Sequence, residues 1–208
     1  MSTTKQKIIL KSLELFNEQG ISNVSLRTIS DQLEISVGNL QYHFKKREDI
    51  VEALYFQLVE KMNLIFQEPL EGDLLNHFLV GSRKIMTTLF DFRFFLLDFV
   101  VITRANEKIK KHYRQLSKQR EIEILNMVDV LIENEIFRPE MLKNEYSYLF
   151  RRLEVISNFW FSSVLIQTDK LSKASVEEYS SLINQSIYAY LTSIGKKQYA
   201  DFYPLDVV

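Results

Sequence analysis

The sequence predicts an all-α fold: three short N-terminal helices in a helix-turn-helix arrangement, then an antiparallel bundle of longer helices. Three observations predict it. The 208 residues include only 5 Gly and 3 Pro, against a usual ~7% and ~5%, so the chain has few means of turning tight hairpins. Apolar residues recur at intervals of three and four, not at the alternation of a half-buried strand. The apolar stripes are short as far as Lys46 and lengthen beyond it.

The first helix is predicted over Thr4–Gln19. Thr4 serves as N-cap, Ile9, Leu13 and Phe16 form its inner face, and Gly20 supplies the positive φ that ends it. The second runs from Ser25, its N-cap, to Leu33, with Leu26, Ile29 and Leu33 turned inward. Ser36 caps the third, Val37–Phe44, whose Leu40 and Phe44 point into the core. The tight link between the second and third makes the helix-turn-helix. A fourth helix opens at Arg47, where Glu48 and Asp49 match the positive end of its dipole. Its stripe of Ile50, Leu54, Leu58, Met62, Ile65 and Phe66 continues to Pro69. After a loop at 68–73, helices are expected at about 73–89, 92–104, 106–135, 143–168 and 175–194. Asp91, Asn106, Pro139, Asn144 and Ser175 cap or break them, and the tail 196–208 adds a short turn. The natural boundary divides residues 1–47 from 48–208, with a helix running through it.

Charge follows the same division. Residues 1–47 hold 7 Lys/Arg and 4 acids, a balance of +3, while the rest hold 19 and 23, a balance of −4. Aromatics are sorted the other way, with only Phe16, Tyr42 and Phe44 in the first part. The formal charge of −1 is therefore an average of a small basic part and a larger acidic, aromatic-rich one.

Much chemistry is excluded. With no Cys there is no disulfide, thiolate metal site or Cys nucleophile. His43, His77 and His112 lack zinc spacing and lack a Glu three residues before them. The Gly residues, at 20, 38, 72, 81 and 195, build neither a dinucleotide fingerprint nor a phosphate loop. No Ser lies in a Gly-x-Ser-x-Gly elbow. No enzyme signature, cofactor or metal is implied. The most apolar stretch, Phe94–Ile102, is interrupted by Asp98 and falls short of the ~20 residues of a membrane helix. A cytoplasmic protein without membrane association is expected.

The third helix carries the chemistry that remains. A helix can enter the major groove and set its first residues against base edges. Val37, Gly38, Asn39, Gln41 and Tyr42 face outward. Gly38 lets the backbone approach the duplex, and Asn39 and Gln41 carry the paired donor and acceptor that suit an adenine edge. Arg27, one turn into the second helix, suits guanine or a phosphate. Lys5, Lys7 and Lys45 add a diffuse positive field.

The run from Lys7 to Ile50 resembles the DNA-binding domain of TetR-family (TetR/AcrR-like) bacterial transcriptional regulators. The resemblance rests on Leu13 and Phe16 before Gly20, on Ser25 before Thr28-Ile29, and on Leu33, Ile35-Ser36, Gly38-Asn39-Leu40, His43-Phe44 and Arg47-Glu48-Asp49-Ile50. It covers about a quarter of the chain. It implies base or phosphate contacts at Arg27, Asn39, Gln41, Tyr42, His43 and Arg47; with Ser36, Val37, Gly38 and Lys45 these are the candidate DNA-binding residues. The sequence departs from the family pattern at Gln41, where Tyr is usual, and at Glu34, where Gly is common. A non-Gly residue at position 34 is strained if its φ is positive.

The resemblance further implies a two-fold dimer bound to a pseudo-palindromic operator, and a small effector held in the helical bundle. Composition favours an apolar or aromatic effector. Its candidate pocket residues are Phe66, Phe90, Phe94, Asp98, Arg104, Tyr113, Asn158 and Trp160. The dimer contact is expected from residues 143–194, whose apolar faces carry Tyr146, Leu149, Leu153, Ile156, Trp160 and Val164, then Tyr179, Leu182, Ile183, Ile187, Tyr190 and Leu191. Two rival readings are a ligand-binding or enzymatic bundle whose N-terminal part no longer reads DNA, and a monomeric adaptor.

Overall fold

A computed structural model describes residues 3–70 and 72–203. Eleven α-helices and two 3-10 turns make up the described chain. By their contacts the residues fall into two compact units. The first holds the chain up to Asn63 together with Thr88–Tyr113; the second holds Leu64–Thr87 and the chain from Arg114 onward.

In the first unit, α1 spans Thr4–Gln19. Its N-cap is Thr3 and not Thr4: the Thr3 hydroxyl accepts the Gln6 N–H, and the Gln6 side chain returns to the Thr3 N–H. Two adjacent threonines offer the same cap chemistry, and the Gln three residues on closes a capping box only with the first. Gly20 ends the helix at φ 76°, its N–H bonded to Phe16 O at 3.0 Å. A 3-10 turn, Ile21–Asn23, leads to α2, Leu26–Gln32, and then α3, Val37–His43. Ile8, Ile9, Phe16, Val24, Ile29, Leu40 and Ile50 are buried together with Leu54, while Leu13 and Leu33 are half-buried. The fourth helix, α4, runs Arg47–Phe66.

The first unit is larger than residues 1–47 because the segment around residue 94 packs on α1. Helix α5, Leu74–Asp91, ends at a bend that the Asn17 side chain clamps, donating to Asp91 O at 2.8 Å and accepting the Phe94 N–H at 3.0 Å. Phe94 lies against Phe16 with ring centroids 5.4 Å apart. The single helix expected at 92–104 is two helices, α6 (Arg93–Leu97) and α7 (Phe99–Ala105). Asp98 separates them at φ −103°, ψ 19°; its N–H ends α6 on Phe94 O, and its carbonyl starts α7 with the Ile102 N–H. From Phe94 the rings continue through Phe95 and Phe99 to Tyr113 on α8, Glu107–Glu133.

In the second unit, α9 (Glu145–Thr168), α10 (Lys173–Ser186) and α11 (Ser193–Phe202) accompany parts of α5 and α8. Leu75, Leu79, Leu131, Phe137, Ile187 and Tyr199 are among the residues of its core. Asn184, fully buried, joins α5 to α10. It accepts from Ser82 Oγ at 2.6 Å and donates to Leu79 O and to Tyr203 Oη. Arg138 holds Glu145 through two nitrogens at 2.9 and 2.8 Å.

The helix expected at 175–194 stops at Ser186. Its continuation leaves helical geometry because it pairs with the link between α8 and α9. The Arg138 N–H donates to Tyr190 O, the Thr192 N–H donates to Ile136 O, and Phe137 and Leu191 form an antiparallel bridge. Thr192 then caps α11, a helix the sequence reading does not contain; of the tail, residues 204–208 lie outside the described residues. Gly195 makes this approach possible, because a Cβ there would lie 2.3 Å from Ile136 O.

The faces expected to meet in a dimer need correction. Tyr146, Leu149, Trp160, Val164, Ile183, Ile187, Tyr190 and Leu191 are buried within the protomer. Of the expected residues Leu182 on α10 is exposed, and the exposed apolar residues of α9 are Tyr148, Val155, Phe159 and Ile166. Periodicity finds an apolar stripe but cannot tell a helix's own core from a second apolar face. No helix among the described residues is long and apolar enough to cross a membrane.

Candidate nucleic-acid interface

Local capping sets the pose of α2 and α3. Ser25 and Thr28 form a capping box at the start of α2. At its end the Ile35 N–H bonds to Ser30 O and the Glu34 N–H to Asp31 O, with Glu34 in the left-handed region at φ 54°. This is the Schellman arrangement, which Gly ordinarily completes. Glu34 holds it at a strain of about 1 kcal/mol. Ser36 then caps α3, its hydroxyl accepting the Asn39 N–H at 3.1 Å.

Leu40 and Phe44 anchor α3 on the core. The rest of the helix turns outward: Gly38, Asn39, Gln41 and Tyr42 are exposed, and Val37 and His43 are half-buried. Tyr42 is 86% exposed, its ring edge-on to His43 at 5.2 Å. A Cβ on Gly38 would meet only Ser36 Oγ, at 3.9 Å, so the backbone there lies open. Arg27 is exposed on α2, with Asp31 3.8 Å away, and Lys45 is exposed after α3. Lys5 lies over the Phe44 ring at 5.6 Å.

Arg47 behaves differently from the other candidates. Its Nη1 donates to Ile21 O at 2.9 Å and Val24 O at 3.4 Å, and Nη2 meets Glu48 at 3.3 Å. The guanidinium is spent on clasping the start of α4 to the turn between α1 and α2, which leaves it less to offer a phosphate. Asn17 is a residue that sequence reasoning missed. Nothing local marks it, because its partners stand at Asp91 and Phe94, far along the chain.

The candidate effector residues are distributed over both units. In the first, Phe94 is core against Phe16, and Phe90 is half-buried beneath the Arg93 guanidinium at 4.9 Å. Tyr113 meets Phe99 at 4.8 Å. Asp98 is half-buried at the helix break, and Arg104 is exposed and so needs no buried partner. Tyr55, not among the candidates, shares a 2.8 Å hydrogen bond with His112 Nδ1, and burial raises its phenol pKa.

In the second unit Phe66 lies under the Arg120 guanidinium at 4.0 Å, Asn158 is half-buried, and Trp160 is 2% exposed. The Trp160 ring stacks on Phe161 at 3.9 Å and Tyr179 at 4.9 Å. Its Nε1 is one of three buried side-chain atoms among the described residues without a hydrogen-bond partner, with Ser12 Oγ and Gln198 Oε1. A hydroxyl can rotate and an amide can flip, but an indole N–H is a donor fixed in direction. Leaving such a donor unpaired costs about 1–3 kcal/mol.

The chain is similar to known proteins along most of its length. Residues 8–54 match the family model of bacterial regulatory proteins of the tetR family, and residues 57–199 match that of a bacterial transcriptional repressor, TetR. The HTH-type transcriptional regulator UidR of Escherichia coli K12 is 32% identical over 84 residues, 40% of this chain. That match spans 43% of UidR, less than half its length. A TetR-family regulator from Marinobacter aquaeolei VT8 has the same fold, with a TM-score of 0.88 at 21% identity over 97% of each chain. A transcriptional regulator from Saccharomonospora viridis, solved in complex with choline, superposes with a TM-score of 0.71 at 19% identity over 90% of this chain and 97% of its own. With both family models matched in order, and the second alone spanning more than half the chain, the protein belongs to the TetR family of bacterial transcriptional regulators.

Proposed function

We propose that the chain is a dimeric, effector-responsive repressor that reads a pseudo-palindromic operator with α3. The carrying observation is the outward row of Gly38, Asn39, Gln41 and Tyr42 on a helix capped by Ser36 and anchored by Leu40 and Phe44. Asn39 and Gln41 read base edges, Gly38 lets the backbone in close, and Arg27, Tyr42, His43 and Lys45 engage phosphates or flanking bases. Residues 1–47 supply the DNA contacts and 48–208 the effector site and the dimer. Regulators of this family bind DNA and dimerise. Here the exposed row Tyr148, Val155, Phe159 and Ile166 supports a contact through α9, because its spacing of seven, four and seven places all four residues on one line of the helix. Leu182 of α10 extends it. The effector acts through its differential affinity for the two states of the dimer. The protein works in the cytoplasm and catalyses no reaction.

The test is a binding titration against DNA flanking its own gene at stated salt. Asn39→Ala and Gln41→Ala are each expected to relax base preference by ~1–3 kcal/mol. Lys45→Ala is expected to weaken all sequences alike and lower the salt slope. If all three changes altered the salt slope alone, readout by α3 would be wrong. The absence of any sequence-specific binding would favour a bundle that no longer reads DNA.

A further inference from the structure

We infer that the indole N–H of Trp160 is the hydrogen-bond donor of the effector site, and that the effector is a neutral apolar carbonyl compound. The inference rests on the ligand-responsive reading above and names the chemistry of its site. Trp160 is buried, and Phe161 and Tyr179 stack on its ring, so the ring cannot turn to reach solvent. The buried polar side chains Tyr146 on α9 and Ser180 and Asn184 on α10 are satisfied. Asn184 uses both ends of its amide, the Ser180 hydroxyl donates to Val176 O, and the Tyr146 hydroxyl donates to Arg138 O. Against that background an unpaired donor marks a place that a ligand completes. An indole N–H only donates, so the ligand must accept. The rings stacked on Trp160 are uncharged, and burying a carboxylate there would need a cation. A neutral carbonyl oxygen on an apolar frame meets both conditions.

Trp160 is the only Trp in the chain. The 15N-labelled full-length protein therefore has one indole N–H resonance, and its Trp emission comes from one place. The probes are acetophenone and α-methylstyrene, which share a shape and differ in the carbonyl oxygen. Acetophenone is expected to move the indole proton downfield and shift the emission saturably, with the hydrocarbon weaker by about tenfold. Trp160→Phe is expected to keep or raise the melting temperature of the free protein, since it removes an unsatisfied donor, and to abolish the preference seen by calorimetry. An indole proton already hydrogen-bonded to an ordered water in the free protein, and unmoved by acetophenone, overturns the inference. So does equal binding of the two probes, and both results come from the native protein. If acetophenone binds through the indole but leaves operator affinity unchanged, the site stands and the effector-responsive reading falls.

Discussion

Gly38, near the start of α3, and Glu34, in the turn before it, each cost the free protein stability. At Gly38 the surrounding space would accept a Cβ, with Ser36 Oγ the nearest atom at 3.9 Å. The helix bears the entropy of a Gly there with no steric need for it. Gly38→Ala is therefore expected to stabilise the protein by about 0.5–1 kcal/mol in urea unfolding. It should also weaken operator binding in an anisotropy titration, because the new methyl stands where the backbone would approach the duplex. Unchanged operator affinity would mean that the backbone keeps its distance. Glu34, at φ 54°, is strained by the turn itself, and Glu34→Gly should relieve up to ~1 kcal/mol. Both residues were legible in the sequence, along with the caps Ser25 and Ser36, because their cause is local. Arg47 was not, since its partners Ile21 O and Val24 O are backbone atoms that no side-chain pattern reveals.

Among the elements, the helices that the sequence misdrew share one physical reason. Apolar residues continue at helical spacing through Asp98 and through Ile187–Leu191, so periodicity runs on while the backbone stops. At Asp98 the break gives α6 and α7 separate hydrogen-bonded ends. After Ser186 the cause is tertiary, the pairing of residues 190–192 with 136–138. Gly195 is the residue that lets α11 lie against that pairing. Gly195→Ala puts a methyl 2.3 Å from Ile136 O, a backbone atom that cannot swing aside. A loss of about 1–3 kcal/mol is expected in chemical denaturation, with α11 the first element to lose amide protection. A neutral effect would show that the 136–138 link is free to move. The exposed row on α9 was missed for a related reason: the helix is apolar on two sides, and only the packed structure tells which side it buries.

For the molecule as a whole, charge is uneven in both space and pH response. Residues 1–47 carry a balance of +3 and the rest −4, so under the proposed function a polyanionic duplex would attract the first part and repel the remainder. Two ion-paired carboxylates couple folding to acid. Two Arg138 nitrogens and the Met141 N–H hold Glu145 down to about 2 from an ordinary 4.5, and the Lys108 ammonium lowers Glu52. A carboxylate depressed in the folded state contributes stability that is complete above its unfolded pKa and is lost as pH falls through the folded one. The melting temperature is thus expected to drop between pH 4.5 and about 2. In Glu145→Gln the drop should be smaller, measured by circular dichroism across that range. An identical drop in the variant would place the acid sensitivity elsewhere.

The Asn17 clamp has a mechanical consequence. One short amide grips two backbone points of the bend, the carbonyl of Asp91 and the N–H of Phe94, from the last turn of α1. The one amide thus ties α1 to the end of α5 and to the start of α6 at once, so a movement of the bend that keeps both bonds carries the last turn of α1 with it.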